Sequence, residues 1–550
     1  MKRILLIITI CLGLISSSCS DWLDILPNNE QVTDKYWKSK EDVEAVLASG
    51  YYYMRTAVPV MLRWGELRGG TLYTMSSRAG LFGGDEVRLQ NFDILPNNKA
   101  VRYNTFYKII NIANSVLYYA ADVRSTDETY SEAAWKAHLT EAYFMRAFSY
   151  FMLVRNYRDV PLVLNAYVND DVAYSIAKSD EKTILNQIKE DIKTALETKA
   201  AKETYEEEWQ TKGRATKWAL YALMADVCLW NEDYAECIQY CNYLLNADSR
   251  FRPVFMSDPT KWSEIFYPGL SNESILELYC NDNLGQLNNL EYNQKDELKT
   301  SGEGQFGMFL LGMNSPLSFT ETAVMKWTEE TQSVFENPEY LNMTLERAGR
   351  SLLATYAYST LTTVDAGKQT YQTQGNSYFL YKYWIGEQAN YASSNTRLKD
   401  SNFILYRMAE IILMKAEALV MSGTAGSEEW STAIDLINQV HTRAMLPPLE
   451  LVSEETDEFT LLQTILDERE MEFAGEGKRW YDLLRLAKKN DWSNTNYKEF
   501  VVASILERNN TQADQWIQSV LRSNDAFYLP LPQDDIDNNP LLEQNPYYAN

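Results

Sequence analysis

The stretch "DEREMEFAGEGKRWYDLLRL", residues 467–486, decides how the rest of the chain is interpreted. It places six carboxylates, four cationic side chains and one tryptophan within twenty positions. Carboxylates beside arginines are the groups that general acid–base catalysis requires. The same groups occur where buried ion pairs hold two helices together. The stretch therefore belongs either to an active site or to a structural brace.

Hydrophobic spacing favours the brace. The segment "TLLQTILDEREMEFAG" predicts a helix with one face formed by Leu462, Ile465, Leu466, Arg469 and Phe473. Because Arg469 shares that face with core side chains, its guanidinium needs carboxylate partners, which nearby glutamates can supply. Gly475 and Gly477 break this helix, and "KRWYDLLRL" starts another. We predict a structural charge network of Arg469, Glu472, Glu476, Arg479, Asp482 and Arg485. Glu468 is a further candidate acid close to Arg469.

Composition narrows the classes of partner. The chain has 550 residues, of which 45% are hydrophobic, and 51 basic against 76 acidic residues give a net charge of −25. So acidic a surface repels phosphate backbones and argues against nucleic-acid binding, whereas neutral polymers and cations are tolerated. With two histidines and no CxxC motif, the sequence predicts no metal site, and no cofactor is expected.

The first residues have the pattern of a targeting segment. Lys2 and Arg3 precede an apolar run, residues 4–15, that is too short to span a bilayer as a mature helix. The following "SSSC" ends at Cys19 and resembles a lipobox, where cleavage before the cysteine leaves a thiol that carries a diacylglycerol. We predict a lipoprotein signal peptide over residues 1–18 and lipid attachment at Cys19. A plain secretory signal is the alternative.

Helical periodicity dominates the remainder and predicts a mostly α fold. Paired segments such as "GRATKWALYALMADVCLW" and "DYAECIQYCNYLLNA" are typical of helical hairpins of the tetratricopeptide (TPR) type, here dispersed along the chain and stacked on one another. We predict a single domain over residues 19–550, with a helical scaffold at about 30–250 and 400–550. Loop-rich segments with short strands, at about 56–102 and 250–400, are expected to carry the ligand surface.

The charged stretch also resembles a known family signature. The pattern "ERxxExxxEGxRWxDLxR", Glu468 to Arg485, is similar to the carboxyl-terminal signature of the SusD/RagB family of Bacteroidetes outer-membrane lipoproteins. Further blocks resemble that family in the expected order: "CSDWLDILP", "YWKSKEDVEAVLASGYYYMR", "YKIINIANSVL", "EAYFMRAFSYFMLVRNYRDVPLV", "GRATKWALYALMADVCLW", "YRMAEIILMKAEAL" and "YLPLPQDDIDNNPLLEQNPYY". Arg158 and Tyr547 stand where the family usually has glycine.

This resemblance implies a non-catalytic function. Family members are lipid-anchored at the outer-membrane surface, where they lie as a lid over a SusC-like TonB-dependent transporter and deliver oligosaccharides to it for import. In some branches the ligand is a peptide or another nutrient. A glycoside hydrolase, using two carboxylates in a cleft, is the remote alternative.

Candidate ligand-binding residues lie in the irregular segments. Aromatic rings stack on the apolar faces of sugars, while amide, carboxylate and guanidinium groups bond the hydroxyls. For any single tryptophan, packing in the core is the alternative role. The candidates are Trp64, Arg68, Tyr73, Trp262, Tyr279 (with Asn281 beside it), Asn283, Trp327 and Trp384.

Overall fold

The computed structural model describes residues 36–74, 84–167, 175–266, 268–281, 317–320, 322–323, 325–327, 329–330, 355–365, 368–380, 382, 402–509 and 513–549. Within these ranges the protein is mostly helical, as predicted. The helices are α1 (Lys40–Thr56), α2 (Val58–Glu66), α3 (Gly84–Gln90), α4 (Asn104–Thr126), α5 (Glu132–Tyr157), α6 (Glu181–Glu197), α7 (Glu208–Gly213), α8 (Lys217–Trp230), α9 (Tyr234–Leu245), α10 (Met408–Ser422), α11 (Glu428–Arg443), α12 (Glu458–Phe473), α13 (Arg479–Lys488), α14 (Thr495–Asn509), α15 (Asp514–Val520) and α16 (Gln533–Asn538).

Short antiparallel strand pairs accompany the helices. The pairs are β1 (Leu72–Thr74) with β5 (Leu317–Phe319), β2 (Val160–Pro161) with β3 (Lys178–Ser179), β4 (Ser274–Leu278) with β8 (Phe403–Arg407), and β6 (Thr355–Asp365) with β7 (Lys368–Leu380). Strands β4 and β8 are buried along their whole length, and β8 leads directly into α10. This pair therefore fixes the residues near 270 against those near 405.

Consecutive helices pack as the predicted hairpins. Helix α4 packs on α5, α8 on α9, and α10 on α11, while α9 also contacts α10 and so stacks the second hairpin on the third. Side chains at the helix starts accept hydrogen bonds from the free backbone N–H groups, as Ser131, Thr216 and Ser427 do for α5, α8 and α11. None of the helices in the described ranges has the length and hydropathy needed to cross a bilayer.

The region around residues 56–102 is more helical than expected. Helix α2 begins with a proline in its first turn, a position that proline favours, and nearly all of its side chains are buried. Helix α3 lies in the same segment. The loop-rich interpretation of this segment overlooked α2, because its apolar run "VPVMLRWG" is too short to establish a helical period.

A glycine corner joins α2 to the junction of α12 and α13. Gly475 and Gly477 have φ values of 76° and 74°, in the left-handed region that glycine adopts without strain. A Cβ atom added at Gly65 of α2 would lie 2.1 Å from the carbonyl oxygen of Gly477. The Gly477 N–H donates to Glu66 Oε1 at 2.7 Å. Close backbone contact at Gly65 therefore docks α2 onto the corner.

Glu66 is the titratable group at this contact. Its carboxyl is buried, and burial raises its pKa to about 8, although hydrogen bonds from the backbone N–H groups of Gly477 and Lys478 act in the opposite direction. The folded protein therefore holds a proton on Glu66 at pH values where the unfolded chain, with a pKa near 4.5, has released it. This contribution to stability is complete below the unfolded pKa and is lost as the pH rises through about 8.

We expect Gly65→Ala to destabilise the protein by about 2 kcal/mol or more, because the new methyl group overlaps backbone that cannot move aside. Gly84→Ala is the matched control, since a Cβ atom at Gly84 meets nothing within 4 Å. Urea unfolding followed by circular dichroism measures both. Equal stability of the two variants would contradict the close approach of α2 to the corner.

We expect Glu66→Gln to lose less stability than the wild type as the pH rises from about 5.5 to about 8.5, by on the order of 2 kcal/mol, because the amide stays neutral throughout. Thermal unfolding across this pH range, with the exposed Glu190→Gln on α6 as control, provides the comparison. If the difference between wild type and Glu66→Gln does not change with pH, Glu66 is not protonated in the folded state.

Candidate ligand-binding surface

Acids of the charged stretch, residues 467–486, form buried ion pairs with cations from other segments of the chain. Arg407, at the end of β8, has its Nη1 2.6 Å from Glu472 Oε1 and its Nε 3.0 Å from Glu476 Oε2. Nη1 also contacts Glu273 Oε1 at 3.0 Å. Burial alone would lower the pKa of Arg407, but the Glu476 and Glu472 carboxylates outweigh it and raise that pKa well above its usual value. The guanidinium is therefore charged and held by three acids.

Two further cations complete this group. Arg443 reaches Glu273 at 2.8 Å and Glu472 at 2.6 Å, and the Lys382 ammonium lies 2.6 Å from Glu476 Oε1. Each side chain is at most 1% exposed. We call this group the Arg407 cluster; its members are Glu273, Lys382, Arg407, Arg443, Glu472 and Glu476.

A second buried group, the Asp482 cluster, joins α12 and α13 to α10. Asp482 forms ion pairs with Arg469, 2.9 Å from Nε, and with Arg485, whose Nη2 donates to it at 3.0 Å. Arg485 also makes a two-pronged contact with Glu417 of α10, both distances being 2.6 Å. Burial would raise the pKa of Asp482, but the Arg469 and Arg485 charges keep it below its usual value. The cluster comprises Glu410, Glu417, Arg469, Lys478, Asp482 and Arg485.

The structure places all six residues of the predicted network in such pairs. The remaining member, Arg479, donates to the Leu466 carbonyl at 3.0 Å and lies 3.4 Å from Glu470. Glu468, the other candidate acid, contacts His441 Nδ1 at 2.8 Å and is 4% exposed. Buried carboxylates that form ion pairs with arginine and histidine are typical of a structural brace between packed helices.

Four of the predicted ligand residues lie in the core instead of at a surface. Trp64, Arg68, Trp262 and Trp327 are each at most 1% exposed. Trp64 Nε1 donates to the Ala100 carbonyl at 2.7 Å, and its ring stacks on Phe106. These four residues therefore have packing roles in this fold, and they are not carried forward as platforms for a ligand.

Arg68, one of these four residues, has its guanidinium buried between segments that are distant in sequence. Its guanidinium lies 4.2 Å from the Trp480 ring centroid and donates to the Phe527 carbonyl at 2.9 Å and to Asn156 Oδ1 at 3.0 Å. Burial lowers its pKa to about 10. The side chain joins α2 to α13 and to the carboxyl-terminal segment. The sequence predicted a loop-rich segment at about 56–102, and the packing partners of Arg68 are too distant in sequence to show in the local pattern.

The other candidates have different locations. Tyr73 is half-buried on β1, where it pairs with Ser318 of β5. Tyr279 follows β4 and is partly exposed. Cys19, Asn283 and Trp384 lie outside the described residues.

Tyr279 forms part of an exposed aromatic surface. Its ring stacks on Trp209 of α7, with centroids 5.5 Å apart and planes at 28°. Trp209 is 42% exposed. Helix α7 is held against β4, because Lys212 Nζ donates to the Ser274 carbonyl at 2.6 Å. At the end of that helix, Gly213 lies so close to Tyr279 that a Cβ atom there would be 3.2 Å from the tyrosine Cβ.

Polar and aromatic groups of α1 extend this surface. Arg55 Nη1 donates to the Tyr279 carbonyl at 2.9 Å, and its guanidinium lies 5.9 Å from the ring of Tyr52, which is 52% exposed. Asn281 Nδ2 donates to the Tyr279 hydroxyl at 3.1 Å. The sequence had suggested Asn281 and Tyr279. We call the group Tyr52, Arg55, Trp209, Tyr279 and Asn281 the Trp209 surface.

Buried hydrogen bonds fix the backbone on both sides of Tyr279. Asn402 Oδ1 accepts from the Cys280 N–H at 2.9 Å, and Asn402 Nδ2 donates to Glu277 Oε2 at 2.6 Å. The Trp209–Tyr279 stack therefore adjoins a buried, hydrogen-bonded strand pair. Exposed stacked rings with a guanidinium and an amide beside them can bind a flat, hydroxyl-bearing ligand such as a sugar.

Sequence patterns missed Trp209 and Tyr52. Trp209 lies in the polar segment "YEEEWQTKG", where a lone tryptophan has no apolar period to bury it. Tyr52 lies beside, and not on, the apolar stripe of Val43, Leu47 and Tyr51 on α1. For Tyr52 the available signal was an aromatic residue off the buried face of its helix, and for Trp209 it was a lone aromatic residue in a polar segment.

Within the described residues, one group of side chains has the composition of a metal site. The possible ligand atoms of Cys228, Asp233 and Glu236 lie within 4.8 Å of one another. The Lys189 ammonium contacts Asp233 at 2.8 Å and Glu236 at 2.5 Å, so a cation already neutralises these acids. Burial raises the pKa of the Cys228 thiol, which opposes the deprotonation that metal binding requires. This group does not fit a metal ion.

Comparison with known proteins places the chain in a family. The family model described as "SusD family" matches residues 246–548, more than half of the chain. A second model, described as "Starch-binding associating with outer membrane", matches residues 21–229. Among curated relatives, SusD-like protein P2 of Formosa agariphila is 25% identical over 550 aligned residues, which cover 96% of this chain and 97% of that protein.

Solved structures show the same fold. A SusD superfamily protein from Bacteroides vulgatus aligns with a TM-score of 0.70 at 20% identity and covers 93% of this chain and 100% of its own. A laminarin-binding SusD-like protein aligns with a TM-score of 0.64 at 21% identity, with the same two coverages. The helical hairpins, the braced carboxyl-terminal signature and these matches lead to one conclusion: the chain belongs to the SusD family.

Proposed function

We propose that this protein is a lipid-anchored protein of the outer-membrane surface that binds an oligosaccharide or polysaccharide and delivers it to a SusC-like TonB-dependent transporter. Family membership supports the general role, and one structural relative is described as laminarin-binding. The lipid would be attached at Cys19, after removal of residues 1–18. The observation that carries the ligand class is the exposed Trp209–Tyr279 stack, supported on a buried strand pair.

The geometry of this stack suits a glycan. Sugar rings present flat C–H faces that pack on aromatic rings, and the Arg55 guanidinium and the Asn281 amide lie beside the stack, each bonded to Tyr279. A neutral glycan is compatible with a chain whose net charge is −25. We place the ligand on the Trp209 surface.

A peptide ligand is the second candidate, favoured by one observation. The strong negative charge of the chain would attract basic peptides, and this attraction would weaken as salt is added. Glycan binding through stacked rings has little dependence on salt. Titration at low and high salt therefore separates the two ligand classes.

We propose further that the protein does not catalyse hydrolysis of its ligand. A glycosidase needs two carboxylates facing a cleft that holds the substrate and water. In the charged stretch, Glu472 is enclosed by Arg407 and Arg443, and Glu468 is paired with His441. These acids support the fold and are not available to a substrate.

We expect Trp209→Ala to weaken binding of the recognised polysaccharide at least about tenfold, equivalent to ~1.4 kcal/mol, because the sugar loses its stacking partner. Affinity electrophoresis on a panel that includes laminarin, starch, xylan and mannan identifies the polysaccharide, and calorimetry then measures the variant. Trp516→Ala is the matched control, since Trp516 is 49% exposed on α15. Absence of binding to every glycan by the wild type, or equal binding by both variants, would contradict the proposal.

We expect Glu472→Ala to lower the free energy of unfolding by about 3–5 kcal/mol, because it leaves Arg407 and Arg443 buried with a shared partner removed. The exposed Glu499→Ala on α14 should change it by less than about 0.5 kcal/mol. Chemical denaturation measures both values. The enzyme hypothesis would be established instead by two results together. The wild type would hydrolyse a glycan, and the Glu472→Ala variant would keep normal stability but lose that activity.

A further inference from the structure

A cleft that the sequence did not suggest lies where α8 and α9 meet the loop that follows α6. Its volume is about 360 Å³, near the lower end of the ~300–1,000 Å³ of small-ligand sites, and enough for one or two sugar rings. We call it the Tyr243 cleft. It shares no lining residue with the Trp209 surface.

Two tyrosine rings form one side of the cleft. Tyr221 of α8 and Tyr243 of α9 have centroids 5.2 Å apart and planes at 39°. Tyr243 is 42% exposed, and its hydroxyl accepts a hydrogen bond from Gln239 Nε2 at 2.7 Å, which holds the ring. The rings are further supported by the buried Trp218, which packs edge-on against Tyr221. A ligand in the cleft therefore meets a positioned aromatic surface.

Two of the three charged groups that line the cleft, Lys217 and Glu203, are paired with each other. Lys217 forms an ion pair with Glu203, and Ser249 Oγ donates to the other carboxylate oxygen of Glu203 at 2.6 Å. Hydrogen bonds from Lys217 and Ser249 lower the pKa of Glu203, so it stays ionised beside the ammonium. Trp218 Nε1 donates to the Glu203 carbonyl at 3.0 Å. These bonds join the loop to α8, and the paired charges leave no excess positive charge for an anionic ligand.

Amide groups and a carboxylate provide the remaining polar lining. Asn242 and Asn246 lie one turn apart on and just after α9, and the distance from Asn246 Nδ2 to Asn242 Oδ1 is a long 3.5 Å. Such a weak contact leaves amide donors and acceptors free to be satisfied by ligand hydroxyls. Exposed Asp248 adds a carboxylate acceptor and disfavours acidic sugars. Aromatic rings, amides and one carboxylate together are the groups that bind a neutral sugar.

We infer that the Tyr243 cleft is a second binding site, which takes one or two neutral sugar rings independently of the Trp209 surface. The inference depends on the lining of this cleft and holds whether or not the Trp209 surface binds a polysaccharide. A site of this size would bind the end or a side branch of a chain.

Saturation-transfer NMR with the methyl glycosides of glucose, galactose, mannose and xylose tests the inference. The protein carries Trp209→Ala, which removes the stack of the other surface. We expect transfer to at least one glycoside, a reduction of at least about fivefold on adding Tyr243→Ala, and no change on adding Tyr118→Ala, a matched control 59% exposed on α4. Tyr243→Phe keeps the ring and should retain the signal.

Absence of transfer to all four glycosides, or an equal signal in the Tyr243→Ala and Tyr118→Ala proteins, would overturn the inference. Loss of signal in Tyr243→Phe as well as Tyr243→Ala would also contradict stacking on the ring. Polysaccharide binding by the Trp209→Ala and Trp516→Ala proteins is measured separately. Failure of the Tyr243 cleft and failure of the Trp209 surface are therefore distinguishable.

Discussion

The fold depends on the burial of Arg407 among carboxylates that come from distant parts of the chain. An unpaired guanidinium in a protein interior costs several kcal/mol, so the folded state requires its partners to be in place. Glu273 precedes β4, Glu472 lies in the last turn of α12 and Glu476 lies in the glycine corner. Each of these acids lies at least 65 residues from Arg407 in the sequence. The Arg407 cluster makes their meeting a condition of folding.

This constraint also positions the proposed ligand surface. Arg407 ends β8 and Glu273 immediately precedes β4, so their ion pair fixes the register of the two buried strands. Tyr279 leaves the far end of β4, where Asn402 anchors the next residue. The aromatic stack with Trp209 is thus displayed from a strand pair that the charge cluster holds in place. Catalytic acids are not needed to explain the charged stretch, because its geometry accounts for the acids as partners of buried cations.

Sequence alone predicted the helical hairpins, because their periodicity is local and repeats over many turns. It also indicated the brace, since Arg469 shares a helical face with apolar side chains and must be paired. Sequence alone did not predict correctly which tryptophans are buried. Whether Trp64 or Trp262 is buried depends on contacts such as the Ala100 carbonyl and Glu472, which are remote in sequence. Trp209 was missed because its six-residue helix has too few positions to show a hydrophobic pattern.

The central claim is that the charged residues near the carboxyl end stabilise the fold through mutual pairing. A double-mutant cycle on the free energy of unfolding, with Arg407→Met, Glu472→Leu and the double variant, measures that pairing directly. The account predicts that the double variant is destabilised far less than the sum of the single variants, with a coupling of about 2 kcal/mol or more. Additive effects within about 0.5 kcal/mol would contradict it.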